Sequence, residues 1–377
     1  MRRILYTTLY ETDENGKRVV KKVERLPKFC YDDDGLYYEC EDLPDGSLRL
    51  YPAPVWAGNI NPYLFEGPNI FIESHKKPLF DVPILRAGGK PVDGGFLTLT
   101  DEQKQELLKA EPQAEPFIRQ YMNGNEFINN IPRWCLWLVG AEPSELRKCP
   151  RVLKRVGQCR DYRLKSKKDA TRRAADTPGL FAEITECKTN YLAIPKVSSG
   201  TRQYIPIGWL APDVIAGDKL FTCDNATLYQ FGILNSSVHM AWCRTIGQHL
   251  GTSHSYANTF NYNAFPWPSA SDAVIRKIER TAQGILDARK LYPKSTLADL
   301  YDVRSMPVEL RKAHRANDEA VVSAYGFKRR FQDEREHEED IVINLMYMYK
   351  DITGCREFYE SYPNLRLWER VYGKYTG

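Results

Sequence analysis

The stretch Ile194–Trp209, IPKVSSGTRQYIPIGW, determines how the rest of this chain is interpreted. Its flanks, Leu192–Ile194 and Tyr204–Ile207, are apolar and rich in β-branched residues, which predicts two strands. Ser198–Gln203, between them, is small and polar, as is typical of a flexible loop. We therefore predict a hairpin whose strands hold a polar tip in solvent, the usual position of a recognition loop.

The side chains of this tip suggest a ligand class. Arg202 carries a planar fork of N–H donors, and Gln203 carries an amide with a donor edge and an acceptor edge. These groups form bidentate hydrogen bonds with guanine and adenine in the major groove of DNA. The tip therefore fits base recognition, although the same residues also fit a surface hairpin without a partner.

The composition is that of an ordinary globular protein. The 377 residues predict two or three domains, and 42% hydrophobic and 27% charged residues are typical of a chain with a packed core. No apolar run approaches the roughly 18 residues of a membrane span, and no secretory signal follows Met1. The nine cysteines are scattered without CxxC pairs, which favours reduced thiols in the cytoplasm. Because the net charge is only +4, nucleic-acid affinity would have to come from local clusters.

Such a cluster of Lys and Arg lies at Arg147–Arg173. Within it, Pro150 is placed to begin one helix and Ser166 to cap a second. Cations on a helix face bind phosphates with salt-dependent affinity, but a solvated helix face fits the same pattern. The residues predicted to contact DNA phosphates are Arg163, Lys165, Lys167, Lys168, Arg172 and Arg173.

Other segments carry ordinary helix and strand signals. Asn15-Gly16 predicts a hairpin turn between strands at Ile4–Glu11 and Arg18–Leu26. Thr100–Gln103 is a capping box that begins a helix ending at Glu111. The remaining predicted elements are a buried strand at Arg133–Val139, a helical pair within Ala226–Leu250, and helices at Asp272–Lys290, Pro307–Tyr325 and Glu336–Ile352.

Motifs for catalysis and metal binding are incomplete. Asn59–Tyr63, NINPY, approaches the Asn-Pro-Pro-Tyr loop with which amino-methyltransferases hold a target amine, but one proline is missing and no Gly-rich cofactor loop precedes it. A turn that begins a domain is the better prediction. His239, Cys243, His249 and His254 match no zinc-finger spacing. We therefore assign no catalytic and no metal-binding residue.

Alternative functions remain open from the residues alone. Asp176 followed by Glu186-Cys187-Lys188 loosely matches the acid and acid-x-Lys pattern that holds a divalent metal in nucleases. A protein-interaction scaffold is a further alternative, in which the helices after Ser269 and the exposed hairpin dock on a catalytic subunit.

Many ordered pieces of the chain resemble one known family, the C-terminal half of MmeI-type restriction–modification proteins. The pieces are NINPYL (59–64), ESHKKPLFDVP (73–83), EFINN (126–130), RWCLWLV (133–139), ADTPGLF (175–181), IPKVSS (194–199), YIPIGWL (204–210), HMAW (239–242), YNAFPWP (262–268), LADLYD (297–302) and MP-x-x-L-x-x-AH (306–314). Together they extend over most of the chain.

The resemblance implies an α+β fold. Proteins of this family carry a nuclease, an adenine-N6 methyltransferase and a shared DNA target-recognition domain in one chain. By resemblance, residues 59–268 are expected to form a mixed α/β target-recognition domain and residues 269–377 a C-terminal helical bundle. Residues 1–58 are expected to be a hairpin and linker remaining from the methyltransferase sheet.

The resemblance also implies where bases are contacted. The family pattern at the central loop is SSERRRYIP, and this chain has SSGTRQYIP, so Gly200, Thr201 and Gln203 depart from it. A second Arg-rich loop of the family corresponds to Ser253–Tyr256. Because this chain departs from the family pattern at these loops, we expect its DNA target sequence to differ from that of family members with the pattern. The residues predicted to contact bases are Ser198, Ser199, Gly200, Thr201, Arg202, Gln203, Tyr204, Ser253, His254, Ser255, Tyr256 and Asn258.

The sequence thus predicts a module that recognises specific double-stranded DNA for an adenine-N6 methyltransferase of a restriction–modification protein. Its expected partners are double-stranded DNA and a methyltransferase catalytic domain or subunit. We expect no association with a membrane. Because nuclease, cofactor-loop and Asn-Pro-Pro-Tyr motifs are missing, we expect no catalysis by the isolated chain. We expect no cofactor in it either, and S-adenosylmethionine for the full enzyme.

Overall fold

The computed structural model describes residues 6–12, 18–25, 28–31, 37–42, 48–54, 61, 63, 68, 70–327 and 334–355. The chain divides into two compact units. The first comprises residues 1–71 with 353–377, and the second comprises residues 72–352. The predicted boundaries near residues 58 and 268 stay predictions.

The described part of the first unit contains five strands, all in antiparallel pairs. Strand pairing from Tyr6 opposite Arg25 to Thr12 opposite Arg18 confirms the predicted pair, and its Asn15-Gly16 turn lies outside the described residues. Another antiparallel sheet, in the order β3-β4-β5, was not predicted. The strands are β1 (Tyr6–Thr12), β2 (Arg18–Arg25), β3 (Lys28–Tyr31), β4 (Tyr37–Asp42) and β5 (Leu48–Pro54).

The second unit mixes short strands with helices. Its strands are β6 (Leu85–Ala87), β7 (Thr98–Leu99), β8 (Ile118–Met122), β9 (Trp134–Leu136), β10 (Tyr191–Pro195), β11 (Val197–Ser199), β12 (Gly208–Leu210), β13 (Ile215–Ala216), β14 (Leu220–Cys223), β15 (Gln248–Leu250) and β16 (Ser253–Ser255). Its helices are α1 (Asp101–Ala110), α2 (Gly124–Asn129), α3 (Pro143–Leu146), α4 (Pro150–Leu164), α5 (Asp169–Arg173), α6 (Leu228–Leu234), α7 (Ser237–Ile246), α8 (Asp272–Lys290), α9 (Leu297–Leu300), α10 (Val308–Ala324) and α11 (Glu334–Thr353).

The strands of this unit form separate small sheets. One sheet has the order β12-β10-β14-β6 and is antiparallel throughout. A second, β13-β8-β9-β7, contains the parallel pair β13–β8 beside antiparallel pairs. The third, β11-β16-β15, is antiparallel. Since β10 and β11 are separated by Lys196 alone, the first and third sheets are joined directly in the chain.

An aromatic core joins α7 to the chain segment that follows β16. Trp242 on α7 is fully buried, and its indole N–H donates to the Phe260 carbonyl at 3.1 Å. The Phe265 ring, also fully buried, makes edge contacts with Trp242 and with Trp267. Large buried rings contribute much of the free energy of folding because each removes a large apolar area from water. The YNAFPWP stretch is therefore core.

Helix signals in the sequence are confirmed with few exceptions. The capping box at Thr100 is present, since Thr100 and Gln103 exchange side-chain and backbone hydrogen bonds. Helix α8 has the predicted bounds, and Pro307 and Gly326 flank α10 as expected. Ser166 caps no helix: α5 begins three residues later, and the Ser166 hydroxyl accepts from the Lys168 amide at 3.2 Å.

The fold class is confirmed as a mixed α/β region followed by helices α8–α11. Among the described residues, no helix is both long and apolar enough to cross a membrane.

The predicted strand at Tyr204–Ile207 is wrong. The amide of Ile207 donates to the Ile205 carbonyl at 2.8 Å, which closes a tight turn around Pro206. Proline offers no N–H to a strand neighbour, so the chain becomes regular again only at β12. Strand β10 pairs with β12 and β14 instead of forming the expected hairpin.

The buried histidines His239 and His314 should make this unit sensitive to acid. Burial lowers the pKa of each to about 3, so between pH 3 and 6.5 the unfolded chain binds protons that the folded chain does not. Burial raises the pKa of Asp318 to about 6, which acts in the opposite direction below pH 6. The free energy of unfolding should therefore fall by about 2 kcal/mol from pH 7.5 to 5.5.

Urea unfolding at the two pH values measures this difference. A His239→Gln variant cannot titrate at this position and should lose roughly 1.4 kcal/mol of the pH dependence. An identical pH dependence in both proteins would contradict the assignment of a neutral, buried imidazole.

Candidate nucleic-acid interface

The structure brings the predicted base-contacting segments side by side. Strand β11 pairs with β16, with Ser198 opposite His254 and Ser199 opposite Ser253. Beyond the strand ends, the amide of Gly200 donates to the carbonyl of Thr252 at 3.1 Å. Segments more than fifty residues apart in the sequence thus form adjacent turns at one end of a sheet.

The residues Ser199–Gln203, which we call the tip segment, form a tight turn rather than a flexible loop. The Arg202 amide donates to the Ser199 carbonyl at 3.1 Å, and the Ser199 and Thr201 hydroxyls are 2.9 Å apart. A Cβ at Gly200 would lie 2.1 Å from the Thr252 carbonyl oxygen, so this backbone admits only glycine there. The tip segment is held by its own hydrogen bonds and by the neighbouring turn.

Exposure separates the predicted residues into accessible and buried ones. In the tip segment Gly200, Thr201 and Gln203 are exposed, and Ser199 and Arg202 are half-buried. The predicted residues that remain accessible to a ligand are Ser199, Gly200, Thr201, Arg202, Gln203, Ser253, Ser255 and Asn258.

Ser198, Tyr204, His254 and Tyr256 are buried, which corrects the prediction that they contact bases. The Tyr256 hydroxyl hydrogen-bonds His239 Nε2 at 3.0 Å within the core. A base could reach these side chains only if the sheet opened. These four side chains are part of the packed interior beside the accessible residues.

Arg202, the predicted guanine contact, is half-buried, and Asp302 is close enough to affect its pKa. Burial lowers the pKa of its guanidinium, and the carboxylate of Asp302 opposes this effect. An arginine keeps its charge through such a shift, because its ordinary pKa lies far above neutrality. Arg202 therefore presents a charged donor group in a partly dehydrated setting, where hydrogen bonds are strengthened.

The predicted phosphate contact Arg163 is wrong, since this side chain is fully buried. Its guanidinium satisfies backbone carbonyls of surrounding loops, so no donor remains for a ligand. The acceptors are the carbonyl oxygens of Pro91, Val92, Ala174, Thr177 and Leu180, at 2.7 to 3.1 Å.

The other predicted phosphate contacts, Lys165, Lys167, Lys168, Arg172 and Arg173, are exposed. Arg172 forms an ion pair with Asp169 and donates to the Ser166 carbonyl at 2.9 Å. The remaining cations follow the end of α4 and surround α5. This segment can attract a polyanion, with Arg172 partly neutralised.

The motifs for metal chemistry are not assembled. Within the described residues, no group of three or more His, Cys, Asp or Glu side chains could hold a metal ion. His239 Nε2 lies 3.3 Å from Cys243 Sγ inside the core, and the His249 side chain lies outside the described residues. Glu186, from the nuclease pattern with Asp176 and Lys188, accepts a hydrogen bond from the Trp137 indole at 2.8 Å.

Comparison with known proteins identifies the family. A model of the MmeI target recognition domain matches residues 66–269, more than half of the chain, and a model of the MmeI C-terminal domain matches residues 270–354. The chain belongs to the MmeI family. The resemblance seen in the sequence is thereby confirmed.

Two proteins that are similar to this chain are longer than it. DNA methyltransferase A of Bacillus subtilis (strain 168) is 34% identical over 295 residues, which cover 78% of this chain and 33% of that protein. A solved structure of the type IIL restriction-modification enzyme MmeI in complex with DNA is 36% identical, with a TM-score of 0.77. The match covers 92% of this chain and 45% of that one. The chain thus spans a third to a half of these two proteins.

Sequence reasoning missed three residues on the helices that hold the tip segment in place. Asp318, Arg244 and Arg289 bond the chain at the end of the tip segment and directly after it. No local motif marks them, because they lie 41 to 114 residues from their partners.

The buried position of Arg163 leads to a stability prediction. An Arg163→Met variant leaves several buried carbonyls without a donor and should lose about 3 kcal/mol or more of folding free energy. Arg160→Met, on the exposed face of the same helix, is the matched control and should change stability by less than roughly 0.5 kcal/mol. Equal urea midpoints for the two variants would contradict the structural role.

Proposed function

We propose that this chain recognises a specific sequence in double-stranded DNA on behalf of an adenine-N6 methyltransferase of a restriction–modification protein. The observation that carries the proposal is the adjacency of the Gly200 and Thr252 turns within the region matched by the MmeI target recognition domain. Adjacent turns on a rigid sheet present several hydrogen-bonding groups to one ligand surface.

In this proposal the tip segment contacts base edges. Arg202 donates its guanidinium fork to O6 and N7 of a guanine, and Gln203 offers its amide to an adenine. Thr201, Ser253 and Ser255 supply hydroxyls that accept or donate. The rigid turn lowers the entropy lost on binding, because the groups are ordered before DNA arrives.

The exposed cations Lys165, Lys167, Lys168 and Arg173 contact phosphates in this proposal. Such contacts release counterions and add affinity without sequence preference. They fix the position of the protein on the duplex, and the tip segment supplies the selectivity.

In this proposal the methylation reaction is catalysed by the partner domain or subunit. S-adenosylmethionine is bound by a methyltransferase catalytic domain or subunit, and residues 1–58 belong with that part of the protein. The match to DNA methyltransferase A supports this assignment. The protein acts in the cytoplasm, where thiols such as those of Cys135 and Cys149, which are free, stay reduced.

The phosphate role predicts a smaller salt dependence for a neutralised variant. Binding to duplexes with a randomised central stretch is measured while salt is raised. Replacing Lys167, Lys168 and Arg173 by Gln should reduce the slope of log K against log salt by about 0.9 for each phosphate that the protein no longer neutralises. The matched variant replaces Lys76, Lys109 and Lys290, which are also exposed. An unchanged slope in the first variant, or equal reductions in both, would refute the assignment.

The base role predicts a loss of selectivity at one position. Rounds of selection from the randomised duplexes should give a preferred sequence for the unaltered chain. Arg202→Ala should lose about 1–3 kcal/mol of preference for guanine at one position of that sequence. Arg315→Ala, an exposed arginine on α10, is the control. Weaker binding to all sequences alike would make Arg202 a backbone contact.

A further inference from the structure

The segment that leaves the tip, Gln203–Ile207, is held by side chains of the helices. Arg244 on α7 donates to the Gln203 carbonyl at 3.3 Å, and Arg289 on α8 donates to the Ile207 carbonyl at 2.7 Å. Between them, Tyr204 donates its hydroxyl to Asp318 on α10 at 2.6 Å. A helix of the MmeI C-terminal region thus bonds the chain within two residues of Arg202.

Tyr204 is the most constrained residue of this segment. Its ring is buried and stacks on the imidazole of His314, with centroids 4.0 Å apart and planes 21° apart. The second carboxylate oxygen of Asp318 accepts from the Ser237 amide at 2.7 Å, so both Asp318 oxygens are engaged. The tyrosine can neither rotate nor slide without breaking its hydrogen bond to the half-buried Asp318 carboxylate.

A chain of hydrogen bonds connects this contact to Ile207. Arg289 donates to the Tyr301 hydroxyl, which donates to His314 Nε2 at 2.7 Å, and His314 Nδ1 donates to the Asn235 carbonyl at 3.3 Å. Each donor and acceptor fits a neutral imidazole, in agreement with the lowered pKa of His314. Arg289 bonds Ile207 and Tyr301 together, and therefore links the start of β12 to the stack beneath Tyr204.

Base recognition requires that Arg202 be held in a precise position. A bidentate arginine–guanine pair needs both donor–acceptor distances near 2.9 Å and nearly linear geometry. Arg202 is two residues away from Tyr204, so a displacement of Tyr204 moves the Arg202 backbone with it. Phosphate attraction tolerates such a displacement, because Coulomb energy varies slowly with distance.

We propose that Tyr204, Asp318 and Arg289 are positioning residues for DNA sequence selectivity. They do not touch DNA; they set the place from which Arg202 and Gln203 contact bases. This inference rests on the proposed function of the tip segment. It assigns to the C-terminal helices a direct part in selectivity, in addition to their packing role.

The test compares Tyr204→Phe with Tyr292→Phe in the full chain. Tyr204→Phe keeps the ring and removes the hydroxyl. Tyr292→Phe removes a tyrosine hydroxyl that donates to Glu309, also on α10, at 2.6 Å in an exposed position. Selection from duplexes with a randomised central stretch gives the enrichment of the preferred sequence. Binding to the unselected pool gives the non-specific affinity and its salt slope.

We expect Tyr204→Phe to lower the enrichment about tenfold, with pool affinity and salt slope within twofold of the unaltered chain. Tyr292→Phe should leave both unchanged. Enrichment by Tyr204→Phe equal to that of the unaltered chain would overturn the inference, and so would a fall in pool affinity equal to the fall in enrichment in a Tyr204→Phe protein that is folded. Failure of the unaltered chain to enrich any sequence would instead refute the proposed function.

A second variant, Arg289→Lys, tests the same inference if Tyr204→Phe does not fold. Arg289→Lys keeps the charge but replaces the planar fork with a single ammonium, which cannot bridge the Ile207 carbonyl and the Tyr301 hydroxyl in the same way. It should reduce enrichment with an unchanged salt slope. Unchanged enrichment in a folded Arg289→Lys protein would overturn the inference.

Discussion

Irregular backbone must find hydrogen-bond donors when it is buried, and arginine side chains supply them in this protein. Arg163 donates to loop carbonyls on both sides of α5, including that of Val92, whose positive φ of 44° makes it unusual for a β-branched residue. Arg155 does the same for Gly95 and Phe96, and Arg289 for Ile207. A guanidinium carries several donors in one plane, so one side chain can fix several turns at once. The short strands of the second unit are connected by such turns, and their positions depend on these contacts.

This use of arginine explains where sequence reasoning failed. In the basic segment, Arg163 and Lys165 look alike, yet one is buried and the other exposed. The signal that separates them is helical spacing, because Val152, Cys159 and Arg163 lie on the buried face of α4. Helix bounds were predictable from caps, prolines and glycines, which act locally. The β11–β16 pairing and the contacts of Asp318 were not, because they join segments far apart in the chain, where no local pattern indicates which residues meet.

The two-residue period of a strand could have separated the buried residues of the candidate site from the accessible ones. Neighbouring residues of a strand point to opposite faces, so Val197 is exposed, Ser198 buried and Ser199 half-buried. The same alternation buries His254 and Tyr256 and leaves Ser253 and Ser255 accessible. The strand between Tyr204 and Ile207 was predicted from its apolar and β-branched residues. Pro206 was the residue that contradicted it, since proline is excluded from central strands.

The packing at Gly200 links the tip segment to the turn beside it. The departures from the family pattern, at Gly200, Thr201 and Gln203, are the exposed positions of the tip segment. A glutamate at position 200 could not be accommodated by this backbone, because its Cβ would lie within 2.1 Å of the Thr252 carbonyl oxygen. The turn that contains Thr252 would have to move, and with it Ser253 and Ser255. A side chain at position 200 therefore requires a compatible change in the turn that contains Thr252, so in the proposed function the two turns act as one recognition surface.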